Sequence, residues 1–96
     1  MFDINRYLME CRSGLLCKPV HCKSGLNMSV QASSGHYCQP RQDQGPWESV
    51  EIGFPSLKLV DLMKYAESPE KPTDTVYGWV PVQLVNKIVD ENGGLA

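Results

Sequence analysis

Apolar and polar positions alternate in two neighbouring stretches of the chain. Residues 29–33 read Ser-Val-Gln-Ala-Ser, and Val50, Ile52 and Phe54 fall on one face of residues 47–54 by the two-residue period of a strand. The polar residues 39–46 between the two stretches carry a proline near each end, as loops do. The pattern predicts two strands joined by a long loop.

The next stretch changes from a two-residue to a helical period. Ser56 is a favoured helix cap, and Leu59, Leu62, Met63 and Ala66 follow it at the spacing of one helix face. Two prolines in the polar run that comes next end the helical pattern. The spacing predicts an amphipathic helix after the second strand.

Residues 75–80 are rich in β-formers and precede Pro81, which suits a first helical position. Gly93 and Gly94 supply a stop after a wide apolar face made of Val82, Leu84, Val85, Ile88 and Val89. The order is therefore β-β-α-β-α. It predicts an α+β fold, a small two-layer sandwich in which an antiparallel-leaning three-stranded sheet carries two helices on one face.

Residues 1–27 differ from the rest of the chain. Apolar residues recur there at helical spacing, at Ile4, Tyr7, Leu8 and Cys11. With Asp3 as a cap and Gly14 as a stop, this spacing predicts a short helix. Because short helices are marginal in isolation, this one needs a surface to pack against. Residues 1–27 are thus interpreted as an N-terminal extension, loosely ordered unless it docks.

A turn-rich stretch at residues 23–27 reads as a linker and separates this extension from a single α+β domain at residues 28–96. Met28 stands where the patterned sequence begins, so an alternative is that translation starts there. Four basic and two acidic side chains give residues 1–27 a charge of +2. Five basic and nine acidic ones give residues 28–96 a charge of −4.

Composition and charge exclude several classes of function. The patterned domain lacks the basic stripe that phosphate neutralisation needs, which argues against nucleic-acid binding. Every apolar run is far shorter than the ~20 residues of a membrane span, and the N-terminus lacks a secretory pattern. The interpretation is a cytoplasmic protein with free thiols, without a cofactor and without a membrane partner.

Cysteine and histidine could carry chemistry in two ways. A small zinc-binding module is the main alternative, with its candidate ligands Cys11, Cys17, Cys22, His36 and Cys38. The paired C-x2-C spacing of structural zinc sites is absent, so unliganded thiols are favoured. A second alternative is a cysteine-dependent enzyme, in which His36 or His21 activates a thiol. No third orienting group is identifiable, and no catalytic residue is assigned.

Aromatic placement is the most informative feature for function. If Val76 and Val80 face the helices, strand parity turns Tyr77 and Trp79 to the opposite sheet face, together with Trp47. Exposed Trp and Tyr are the usual anchors of protein interfaces, so these three residues are the predicted partner-binding site. Two alternatives stay open, since the N-terminal helix could cover the rings or the face could stack on a second copy.

The resulting expectation is a small non-enzymatic accessory protein of bacterial or phage type. It binds another protein, or itself as a homodimer, through the face formed by Trp47, Tyr77 and Trp79. The loop at residues 69–74 is a candidate neighbouring contact.

Overall fold

The protein forms an α+β fold, as predicted. The structure, a computed structural model, describes residues 1–11 and 17–96. Its elements are α1 (Ile4–Cys11), β1 (Val20–His21), β2 (Asn27–Gln31), β3 (Ser49–Gly53), a 3-10 helix (Val60–Tyr65), β4 (Val76–Pro81) and α2 (Val82–Glu91). The four strands lie in the order β1-β2-β3-β4, and each neighbouring pair is antiparallel.

The predicted count of three strands is wrong, because β1 adds a fourth. It is only two residues long, and Val20 pairs with Met28 while His21 pairs with Asn27. The Cys22 backbone N–H donates to the Leu26 carbonyl at 2.8 Å and closes the turn. Two residues are too few to show a period, so the sequence pattern did not indicate β1. The stretch predicted to be a linker is the turn of the hairpin that joins β1 to β2. The division into residues 1–27 and 28–96 stays a prediction.

The helix predicted after Ser56 is a short 3-10 helix that begins later, at Val60. Ser56 does not cap it, because its Oγ accepts the Asn27 backbone N–H at 3.0 Å. At the other end Ala66 is extended and pairs with Tyr77, which stops the helix. Pairing with β4 therefore overrides the helical period that ran through Ala66.

Helix α2 follows the prediction closely. Pro81 is its N-cap, and Gly93 and Gly94 follow its end with φ values of 88° and 78°. Glycine adopts such angles at no steric cost, and the Gly94 N–H donates back to the Val89 carbonyl at 2.9 Å. The buried face of α2 consists of Val82, Val85, Ile88 and Val89.

Helix α1 docks on α2 and on the core. Ile4 and Leu8 are fully buried. Its first turn is capped by Asp3, whose Oδ1 accepts the Asn5 N–H at 3.1 Å, as predicted. Side chains of α2 satisfy two further donors: Asn86 Oδ1 accepts the Ile4 N–H, and Asp90 Oδ1 accepts the Phe2 N–H. The predicted stop at Gly14 lies outside the described residues.

Two side-chain amides fasten the N-terminal part of the chain to the sheet layer. Asn5 Oδ1 accepts the Trp47 backbone N–H at 2.7 Å, and Asn5 Nδ2 donates to the Trp47 carbonyl at 2.9 Å. Gln31 holds the backbone of Cys17 in the same two-bond manner, at 2.9 and 2.8 Å. Each amide thus imitates a strand partner and satisfies backbone groups that would otherwise be buried without one.

The prediction of free thiols is wrong for two of the four cysteines. Cys11 and Cys17 form a disulfide with a Cα–Cα distance of 5.7 Å, while Cys22 and Cys38 are free and buried. Disulfides persist mainly in oxidising compartments, so the cytoplasmic location stays a prediction without support from this bond. In the part of the chain that the structure describes, no helix is long and apolar enough to cross a membrane.

Candidate functional site

A β-bulge in β4 decides which of its side chains are exposed. Val50 pairs with Val80 and Ile52 pairs with Tyr77, so Gly78 and Trp79 together lie opposite the single residue Glu51. The extra residue interrupts the alternation of faces. As a result both Tyr77 and Val80 are 0% exposed, while Trp79 is 51% exposed.

This geometry corrects the predicted placement of the three rings. Only Trp79 lies on an exposed surface. Tyr77 belongs to the core, where its hydroxyl donates to the Pro72 carbonyl and burial raises its pKa. Through Pro72 the loop at residues 69–74 contacts this buried ring. Strand parity failed because it assumes one residue on each strand per pair, and a bulge breaks that condition.

Trp47 is only 2% exposed. Its Nε1 donates to the Gln42 carbonyl at 3.1 Å, and Asn5 of α1 holds its backbone. A Cβ atom on Gly45 would lie 2.8 Å from the indole ring, so this glycine allows the loop to lie directly on the ring. Trp47 is therefore buried with its own loop lying on the ring, and helix α1 contacts its backbone through Asn5.

Tyr37 is the residue that joins Trp79 on the exposed surface. The two rings are stacked, with centroids 5.0 Å apart and planes inclined by 27°. The Trp79 backbone N–H donates to the Tyr37 carbonyl at 2.9 Å, and the Tyr37 N–H donates to Glu51 Oε1 at 3.1 Å. Tyr37 is 41% exposed. We call Tyr37 and Trp79 the aromatic pair.

Gly78 makes room for this arrangement. A Cβ atom there would lie 3.2 Å from Tyr37 Cβ, closer than most side chains tolerate. The chain before β3 can therefore cross the sheet closely enough for its carbonyl to accept the Trp79 N–H. The aromatic pair is thus positioned by backbone hydrogen bonds as well as by ring contact.

Charged groups surround the aromatic pair. The Arg41 guanidinium carbon lies 5.9 Å from the Tyr37 ring centroid, within the range of a cation–π contact. Burial raises the pKa of the neighbouring Cys38 thiol, a hydrogen bond with the Ser33 backbone and the positive charge of Arg41 lower it, and the carboxylates of Glu51 and Asp43 raise it further. Arg41, Glu51 and Asp43 therefore all act on the residue that follows Tyr37 in sequence.

Trp79 also has unusual backbone geometry, with a φ of 52°. Bulky side chains rarely adopt positive φ, and such conformations cost about 1–3 kcal/mol. Phe54 has the same φ of 52° and is 56% exposed. Among the described residues the ring pairs are Phe2 with Tyr7 and Tyr37 with Trp79, so Phe54 belongs to neither pair. Phe54 is therefore a natural control for the aromatic pair.

The cysteine and histidine alternatives receive no support. Cys11 and Cys17 are bonded to each other, and over residues 1–11 and 17–96 no three His, Cys, Asp or Glu side chains are grouped to hold a metal. His36 Nδ1 lies 2.6 Å from Ser33 Oγ, and the Cys38 thiol donates to the Ser33 carbonyl. A raised pKa disfavours the thiolate that a cysteine nucleophile needs.

Sequence reasoning missed Tyr37, Arg41 and Glu51 as neighbours of Trp79. One local signal was present, since Gly78 interrupts a run of strand-forming residues, and a glycine inside a strand often marks a bulge or a close backbone approach. Nothing in the local pattern of residues 36–38 indicates which strand they cross.

Comparison of the chain with protein-family models, curated protein sequences and solved structures finds no match.

Proposed function

We propose that this chain is a non-enzymatic interaction protein that binds another protein through the aromatic pair. The single observation that carries the proposal is the exposure of two stacked rings, Tyr37 and Trp79, on an irregular stretch of an otherwise regular sheet. Trp and Tyr dominate the binding energy of protein interfaces because they bury a large area with few rotatable bonds.

The backbone around the pair supports this proposal. Placing Trp79 at positive φ costs free energy that a regular strand would not require. Such strain is concentrated at functional sites, where the surrounding contacts hold it in place. The hydrogen bonds from the Trp79 N–H to Tyr37 and from the Tyr37 N–H to Glu51 hold the two backbones, and stacking holds the rings on each other before a partner arrives. A partner therefore loses less free energy to ordering these side chains on binding.

The test compares Trp79→Ala with Phe54→Ala. Both substitutions remove an exposed ring at a φ of 52°, but only one removes a member of the aromatic pair. We expect immobilised wild-type protein and Phe54→Ala to retain the same specific partner from an extract of the native host, and Trp79→Ala to lose it. Equal retention by all three proteins would exclude the aromatic pair as the binding surface.

Light scattering separates another protein from a second copy of this chain as the partner. A monomer at micromolar concentration supports a different protein as the partner. A dimer that dissociates in Trp79→Ala and persists in Phe54→Ala would show that the pair stacks on itself. Circular dichroism of each variant checks that the fold is unchanged.

A further inference from the structure

A carboxylate lies beside the aromatic pair. Glu51 is the residue opposite the bulge, and it is partly buried between β2 and β4. Its Oε1 accepts the Tyr37 N–H at 3.1 Å. A carboxylate has two oxygens and about four acceptor positions, so this bond leaves it able to accept hydrogen bonds from a further donor. The bulge thus places a negative group at the backbone of Tyr37, whose ring stacks on the exposed Trp79 indole.

The aromatic pair already accommodates a cation on one of its rings. The Arg41 guanidinium lies over the Tyr37 ring at 5.9 Å. Trp attracts cations more strongly than Tyr does, because its ring has the larger negative potential on its face. About half of the Trp79 side chain is open to solvent. An exposed indole beside a carboxylate combines the two features that attract a guanidinium or ammonium group.

The local charge favours the same class of ligand. The chain carries a net charge of −2, and the charged groups that act on Cys38, the neighbour of Tyr37 in sequence, are two carboxylates, Glu51 and Asp43, and one guanidinium, that of Arg41. This excess of carboxylates favours a cationic partner over an anionic one.

We infer that the aromatic pair recognises a basic segment of its protein partner, with an arginine or lysine side chain stacked on Trp79 and paired with the Glu51 carboxylate. This inference rests on the proposed function and specifies the chemistry of the partner.

The test uses a short peptide as the probe. It is an acetylated and amidated hexapeptide of alternating glycine and arginine, and its control carries citrulline, a neutral residue of nearly the same shape, in place of arginine. The two indole N–H signals of the protein report binding by nuclear magnetic resonance. Trp47, whose Nε1 donates to Gln42, serves as the internal reference.

We expect the arginine peptide to shift the Trp79 signal and leave the Trp47 signal unchanged, with an affinity that falls as salt rises. We expect the citrulline peptide to bind about tenfold more weakly, because it lacks the cation. Equal shifts with both peptides, or no shift of the Trp79 signal with the arginine peptide, would overturn the inference.

Two variants sharpen the result. Glu51→Gln keeps an oxygen for the Tyr37 N–H and removes the charge, so we expect about three- to tenfold weaker binding of the arginine peptide. Glu91→Gln removes an exposed carboxylate at the end of α2 and is expected to bind as the wild type does. Equal binding by Glu51→Gln and the wild type would contradict the role of Glu51.

The outcomes also separate this inference from the proposed function. If Trp79→Ala loses the native partner while Glu51→Gln retains it and the arginine peptide has no effect, the pair binds a partner that is not cationic. If Trp79→Ala retains the native partner, the proposed function fails, whatever the peptides do.

Discussion

The two tryptophans of this chain lie in contrasting surroundings. Trp47 follows an irregular loop and is almost completely buried, although polar residues flank it in sequence. Trp79 stands inside a run of strand-forming residues and is half exposed. At Trp47 the chain folds back on the ring, through Gly45 and Gln42, and α1 holds its backbone. At Trp79 a bulge turns the ring away from the core.

Local sequence therefore does not determine whether an aromatic ring of this small domain is exposed. Each tryptophan has a contact with a residue 42 positions away in sequence: Asn5 bonds the Trp47 backbone, and the Tyr37 ring stacks on Trp79. The first contact involves an almost completely buried tryptophan, and the second lies on an exposed surface. The two regions should therefore respond differently to substitution.

The largest expected difference concerns the rings themselves. We expect Trp47→Ala to lower the free energy of unfolding by about 4 kcal/mol, because it leaves a cavity in the core. We expect Trp79→Ala to lower it by about 1 kcal/mol or less, because the ring is half exposed. Urea unfolding of both variants measures the difference. Similar losses would mean that both rings are structural.

The disulfide is the next contribution to the region around α1. It links residues six positions apart, and the chain-entropy account assigns such a short loop about 2 kcal/mol. Reduction should therefore lower the melting temperature by about 10 °C. A double Cys11→Ser, Cys17→Ser variant serves as the control and should not respond to reductant. A response of that variant would show that reductant acts elsewhere.

The amide contact between Asn5 and Trp47 comes third. Asn5→Ala removes two hydrogen bonds and leaves partly buried backbone groups without them, so we expect a loss of about 2 kcal/mol in unfolding free energy. Arg6→Ala on the same helix is the matched control. It removes only an exposed ion pair with Glu10 and should cost about 0.5 kcal/mol or less. Equal costs would contradict the special role of Asn5.

The smallest expected effect concerns the backbone at Trp79. With a φ of 52°, the position suits glycine better than any residue with a Cβ. We expect Trp79→Gly to be about 1 kcal/mol more stable than Trp79→Ala, and the same order to hold at Phe54. At Val80, a buried position within the regular part of β4, alanine should be the more stable of the two. Urea unfolding of the glycine and alanine variants at these three positions measures whether glycine is the more stable residue at Trp79 and Phe54 and the less stable one at Val80.

Regular elements with long patterns were predictable. Helix α2 and strands β2, β3 and β4 occur near their predicted positions, because their apolar residues repeat over enough positions to identify one buried face. The two-residue strand β1 and the 3-10 helix were not predictable in this way. Both depend on pairing partners that lie elsewhere in the chain, Asn27 and Met28 for β1 and Tyr77 for the residue that ends the 3-10 helix.

The candidate site was predictable only in part. Trp79 is exposed as expected, while the predicted companions Trp47 and Tyr77 are buried and Tyr37 takes their place. Strand parity puts Tyr77 on the opposite face from both Val76 and Val80. This is wrong for Val80, which is buried as Tyr77 is, because the bulge lies between these two residues. A single inserted residue was enough to change the predicted surface.

The sequence alone determined the α+β class, the approximate positions of the long elements and the helix stop at the two glycines, because these depend on local periods and on backbone preferences of single residues. Only the tertiary structure decided which rings are buried, which cysteines are bonded and where the exposed aromatic pair lies. The placement of the rings depends on contacts between residues far apart in the chain, whose free energies of pairing and burial exceed the small preferences that local sequence expresses. The disulfide joins residues only six positions apart, but it depends on the approach of two thiols in three dimensions, which their spacing alone does not specify.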